Sequence, residues 1–101
     1  MSSFAAVPVA ASDPPAAVQF LVQAAAEPGV MPRLFELFAK RGLVPQMWHS
    51  TVCGAEHTDL TIEIRVSGLP QETVSYIGAC MRQIASVRAV LTAETAGAAF
   101  G

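Results

Sequence analysis

Polar and apolar residues alternate most cleanly over residues 60–67, where Leu60, Ile62, Ile64 and Val66 are separated by Thr61, Glu63, Arg65 and Ser67. A period of two puts all four apolar side chains on one face of a strand. Residues 17–24 repeat the pattern, with Val18, Phe20 and Val22 set against Gln19 and Gln23, and Leu21 as the exception. Over residues 30–41 the period changes. Val30, Leu34, Leu37 and Phe38 stand at i, i+4, i+7 and i+8, the stripe of an amphipathic helix. Pro32 is tolerated only in a first turn, so this helix is expected to start near Pro28 or Gly29. Lys40 and Arg41 are expected in its last turn, where cations suit the helix dipole, with Gly42 as the left-handed residue just beyond.

Residues 43–53 read as a second, less regular strand. Pro45 lies inside it, and proline is confined to edge strands or bulges. Residues 54–57 form a turn. Val74, Ile77, Met81 and Ile84 mark a second amphipathic helix, capped by Ser67 or Gly68 with Pro70 at or near its first position. Residues 86–94, with Val87, Val90 and Leu91, close the series as a last strand. The order β-α-β-β-α-β predicts an α+β, ferredoxin-like sandwich: a four-stranded antiparallel sheet with two helices on one face. The uncovered face is expected to show Gln19, Gln23, Thr61, Glu63 and Arg65, and so to be mostly polar.

Composition narrows the classes. A chain of 101 residues implies one domain. Residues 1–15 and 95–101, rich in Ala, Ser, Pro and Gly, read as tails that do not pack, leaving a folded unit over residues 16–94. Hydrophobic residues make up 52% and charged ones 14%. A small domain this apolar is expected to hide part of its surface against another subunit. The net charge is −2, and the six basic residues form no stripe, which argues against nucleic acid. No apolar run approaches the roughly 18 residues that cross a bilayer, which argues against a membrane. Residues 1–12 are apolar but lack a basic start and are interrupted by Pro8, so they do not read as an export signal. Two cysteines, Cys53 and Cys80, cannot form a disulfide scaffold, and a cytoplasmic location follows.

The candidate chemistry is sparse. His49, Cys53 and His57 lie close together, but no fourth metal ligand accompanies them, and Glu56 and Asp59 belong to a turn. Cys53 has no orienting group for nucleophilic work. No catalytic residues, metal or cofactor are therefore assigned. RNA binding on such a sheet needs stacking aromatics where this chain has Thr61, Glu63 and Arg65. The best handle is the strand-to-helix loop of Glu27, Pro28, Gly29, Val30 and Met31. Backbone N–H groups of Gly29, Val30 and Met31 at a helix start can hold a carboxylate. Gly29 either admits a ligand or second backbone or only permits the turn; Glu27 either joins the site or only stabilises the helix start. Trp48, beside Pro45 on the expected edge strand, is either an interface anchor or packs on the first helix against Phe35. Arg65 and Arg88 on the open face either contact a partner or are solvated.

From about Val18 to Glu94 the chain resembles an ACT domain, and within that family the short, single-domain small regulatory subunit of acetolactate synthase. The stretches that carry the resemblance are Glu27-Pro28-Gly29-Val30-Met31-Pro32-Arg33-Leu34, Phe38-Ala39-Lys40-Arg41-Gly42-Leu43, Leu60-Thr61-Ile62-Glu63-Ile64-Arg65-Val66 and the final helix and strand from Met81 to Val90. The resemblance implies a non-catalytic homodimer with a small amino acid between subunits, at Glu27, Gly29, Val30 and Met31. It also implies docking onto the large catalytic subunit of a thiamine-diphosphate enzyme of branched-chain amino-acid biosynthesis. Inhibitor-binding members carry an Asn just before the acidic residue of the first loop, whereas this chain has Ala26. A stand-alone amino-acid or small-molecule sensor of the same fold is the alternative.

Overall fold

The computed structural model describes residues 17–95, so the expected tail over residues 1–15, all but the first residue of the tail expected over residues 95–101, and the reading of residues 1–12 lie outside the described residues. Within them the order is β1 (Ala17–Ala25), α1 (Val30–Ala39), β2 (Met47–Cys53), β3 (Asp59–Ser67), α2 (Gln71–Arg82) and β4 (Val87–Thr95). Thr95 therefore ends a strand rather than opening a tail. The strands form one antiparallel sheet in the order β2-β3-β1-β4. The ferredoxin-like sandwich read from the sequence is the fold.

Period-two alternation fixes which residues the helices cover. Val18, Phe20, Val22 and Ala24 of β1 and Leu60, Ile62, Ile64 and Val66 of β3 are buried under α1 and α2. The helices contribute Val30, Leu34 and Phe38, and Val74, Ile77 and Met81. Phe20 meets Phe38 edge-on, with ring centroids 5.7 Å apart. No polar or charged residue is buried among the described residues, so apolar burial is what holds the layers together.

Several boundaries differ from the periodic reading. Helix α1 begins at Val30, which puts Pro32 third in its first turn. It ends at Ala39, so Lys40 and Arg41 lie past its last turn rather than in it. The Leu43 N–H bonds to the Phe38 carbonyl at 2.9 Å and the Gly42 N–H to the Ala39 carbonyl at 3.0 Å. This paired closure needs a left-handed residue, and Gly42 supplies it at φ +69°. Arg41 reaches back to donate to the Leu37 carbonyl at 2.8 Å, where the helix leaves acceptors unfilled. Strand β2 starts at Met47, not Leu43, so Pro45 precedes the strand instead of interrupting it. The Gln46 N–H still donates to the Arg65 carbonyl at 2.7 Å, extending the pairing by one step. Pro70, not Ser67 or Gly68, is the residue before α2, with extended ψ of 151° and no side-chain cap. Ile84 lies beyond the end of that helix and still packs on the core.

Candidate functional site

The β1–α1 loop is held from three sides. Ala25 donates to the Ser86 carbonyl at 2.8 Å and Ala26 to the Thr58 carbonyl at 2.9 Å, tying the loop to the turns before β4 and β3. The Glu27 carboxylate accepts the Ser86 hydroxyl at 2.5 Å, so this acid braces the loop against the α2–β4 turn. The methyl of Ala26 packs against the core.

Two residues of the loop behave differently from the sequence reading. The Val30 N–H is spent on the Glu27 carbonyl at 3.1 Å, and the Val30 side chain is 1% exposed. Val30 is a core residue whose amide already has an acceptor, so it does not offer that N–H to a ligand. Met31 lies in the first turn, where helical amides lack intrahelical acceptors, and Pro32 has no N–H at all. Gly29 has φ −81° and ψ −5°, ordinary right-handed values. A Cβ built there would meet nothing within 4 Å. The turn thus does not require glycine, nor does packing inside this chain. Its missing side chain leaves open space above the loop.

Next to this loop lies an apolar edge. Met31, Pro32, Phe35 and Trp48 line a groove of about 420 Å³. Phe35 and Trp48 meet edge-on, with centroids 5.6 Å apart. Trp48 therefore does pack on α1, as one of its two readings required, and it also stands on an edge strand, as the other required. Phe35 remains 47% exposed and Met31 37%. Strand β2 carries no Lys, Arg, Asp or Glu. Pro45 is half-buried in the connection that leads into it.

The other edge is guarded. The register of β4 against β1 shifts between Gln23 and Ala24, a bulge with Arg88 as its extra residue. The Arg88 side chain reaches across β1 to the Asp59 carboxylate of β3 in an ion pair at 2.5 Å. Arg82 of α2 donates to the Val90 carbonyl of β4 at 2.9 Å. Bulges and charged side chains are the means by which sheets blunt their edges. One edge of this sheet has them and the other does not.

The open sheet face is less polar than its alternation implied. Cross-strand pairing lines up His49, Glu63, Leu21 and Leu91 in one row. Leu91 is 63% exposed, and Ala89, Ala93 and Met47 share its face. Arg65 hydrogen-bonds Gln19 at 3.4 Å. The signal for this apolar strip was in the sequence: Leu21 stands between Gln19 and Gln23 on the open face of β1, and it pairs with Leu91. His49 and Cys53 do face the same side, but among the described residues no three His, Cys, Asp or Glu side chains gather to hold a metal. No helix among the described residues is long and apolar enough to cross a membrane.

Solved structures share this architecture at low identity. The ACT domain of GTP pyrophosphokinase from Chlorobium tepidum superposes with a TM-score of 0.64 at 9% identity, covering 76% of this chain and 96% of that one. The C-terminal domain of MgtC from Mycobacterium tuberculosis gives 0.68 at 13% identity, with 86% and 95% covered. The regulatory subunit of aspartate kinase from Thermus thermophilus, in its ligand-free form, gives 0.59 at 20% identity, with 80% of this chain and 52% of that one covered. At these identities the likeness concerns the fold. No curated protein matches the chain. The sequence itself is more specific: residues 11–99, nearly its whole length, match the ACT-like domain, and the chain belongs to that family.

Proposed function

We propose that this chain is a non-catalytic regulatory or accessory subunit that works as a homodimer joined along β2. The observation that carries the reading is the contrast between its edges. Strand β2 has no Lys, Arg, Asp or Glu and adjoins exposed Phe35 and Met31, whereas β4 carries Arg88 and Glu94, a bulge, and Arg82 on the Val90 carbonyl. An unguarded edge strand is a template for pairing with another chain. A second copy is the self-complementary partner that closes such an interface.

Pairing along β2 would cover the groove at Trp48 and Phe35 and bring the partner subunit close to the neighbouring β1–α1 loop. The open space above Gly29 and the first-turn amide of Met31 then suit the carboxylate of a small amino acid held between subunits. Glu27 shapes this site by holding the loop, and Val30 by anchoring its helix in the core. The apolar strip of Leu21 and Leu91 on the open face is the surface for a larger partner. The family membership supports an amino-acid biosynthetic enzyme as that partner. Among these we favour the thiamine-diphosphate catalytic subunit of acetolactate synthase, in the cytoplasm, on the motif resemblance.

The mechanism is a shift of population. A docked dimer biases one conformation of the enzyme, and an amino acid alters that bias by its different affinity for the two states. The test is to mix the purified protein with the synthase catalytic subunit of the same cell and follow co-elution and rate. Co-elution with a changed rate supports the reading; neither effect rejects the synthase partnership. Calorimetric binding of an amino acid without any effect on the synthase would favour the stand-alone sensor.

A further inference from the structure

At the end of α1 away from the Gly29 loop, about 15 Å along a helix of 10 residues, lies an open cavity of about 500 Å³. Its apolar wall is Leu43, Leu69 and Pro70, and its polar groups are Arg41, Glu72 and Thr73, with the Tyr76 ring between. That volume lies within the range of small-molecule sites. The Arg41 guanidinium lies over the Tyr76 ring at 4.6 Å from its centroid. It is half-buried, and its NH1 group donates to the Leu37 carbonyl at 2.8 Å. Guanidinium has five N–H donors in a planar fork. Among the described residues Arg41 makes no ion pair; Glu72 lines the same cavity but lies outside salt-bridge distance of it.

We propose that this cavity is a binding site for a small organic monocarboxylate with an apolar body. The ring and the back-bond to Leu37 fix the guanidinium plane, so its remaining edge is presented without further ordering. A carboxylate matches a planar fork in two parallel hydrogen bonds. Leu43, Leu69 and Pro70 receive the apolar body. Glu72 disfavours a doubly charged phosphate, and the Thr73 hydroxyl offers a hydrogen bond to a substituent on the body. The site stands apart from the β1–α1 loop and does not depend on the regulatory reading.

The test is an amide chemical-shift titration of the full chain with phenylacetate, its neutral isostere phenylacetamide, and inorganic phosphate. Phenylacetate is expected to move the amides of Leu43, Leu69 and Thr73 in a saturable way, with a dissociation constant on the order of a millimolar, as suits a ligand of this size. Phenylacetamide and phosphate are expected to bind at least about tenfold more weakly, because each lacks either the charge or the apolar body. Arg41→Gln should weaken phenylacetate by about tenfold or more, while Glu72→Gln leaves it unchanged or slightly tighter. The comparison of acid with amide on the unaltered protein holds even if Arg41→Gln disturbs the end of α1. Equal binding of the amide or of phosphate overturns the proposal. So does the absence of shifts at concentrations on the order of ten millimolar, or shifts confined to the Gly29 loop.

Discussion

The two edges of this sheet solve the same problem in opposite ways. Both β2 and β4 present an unpaired row of backbone groups, yet only β4 is defended. On β4 a bulge interrupts the ladder, Arg88 and Glu94 put charge near its two ends, and Arg82 fills the Val90 carbonyl. On β2 there is a seven-residue run without Lys, Arg, Asp or Glu, in which Trp48 meets the Phe35 ring of α1. A protein that must stay apart from its neighbours blunts both edges. Leaving one edge open fits a chain that assembles on that side and must not extend into a ribbon on the other.

The contrast can be broken most severely at the rings. Phe35→Asp places a charge in the groove without touching the buried core, since Phe35 is 47% exposed in the single chain. The expected result is a dimer dissociation constant raised about 100-fold, or about 3 kcal/mol, read by sedimentation equilibrium. A variant that stays as dimeric as the parent would show that β2 is not the interface.

Gly29→Leu sharpens the comparison between fold and site. The site has room for a side chain and ordinary dihedral angles, so stability should change by no more than about 1 kcal/mol, the stiffer unfolded chain offsetting a poorer N-cap. Amino-acid binding measured by calorimetry should fall about tenfold or more, because the added side chain fills the approach. Unchanged binding would remove the loop from the ligand site.

At the guarded edge the effects are smaller. Arg82→Ala should cost about 1 kcal/mol in thermal or denaturant unfolding, through the lost bond to Val90. It should also increase light scattering at high concentration as the β4 edge opens; a monodisperse variant would mean that Arg82 does not guard it. Asp59→Asn, which removes an exposed ion pair, should change stability by no more than about 0.5 kcal/mol and lose even that in high salt. A larger loss would mean that the pair organises the bulge.

The hairpin between β2 and β3 shows how far local chemistry reaches. Gly54 at φ +93° takes a conformation that other residues avoid, and a Cβ there would lie 2.8 Å from the Asp59 carboxylate. A turn at that place was legible, because glycine after a strand-forming run marks one. The pairing of β2 from Met47 was not, because Leu43 and Val44 look equally strand-like before Pro45. Their place was decided by the closure of α1, which takes Leu43 into a bond with Phe38.

Alternation and helical spacing determined the element order and nearly all of the core, since burying Val18, Phe20, Ile62, Ile64, Leu34 and Ile77 together is the way those periods satisfy the hydrophobic effect. They also marked Glu27, Gly29 and Trp48 as unusual. What the tertiary structure alone decided is where each backbone donor and exposed ring is spent. It gave the Val30 amide to Glu27, the Glu27 carboxylate to Ser86 and the Arg41 guanidinium to the Tyr76 ring, and left the space above Gly29 empty. Spacing along a chain reports which face a residue occupies. Its partner across the fold is set by the packing of distant segments, which no local period encodes.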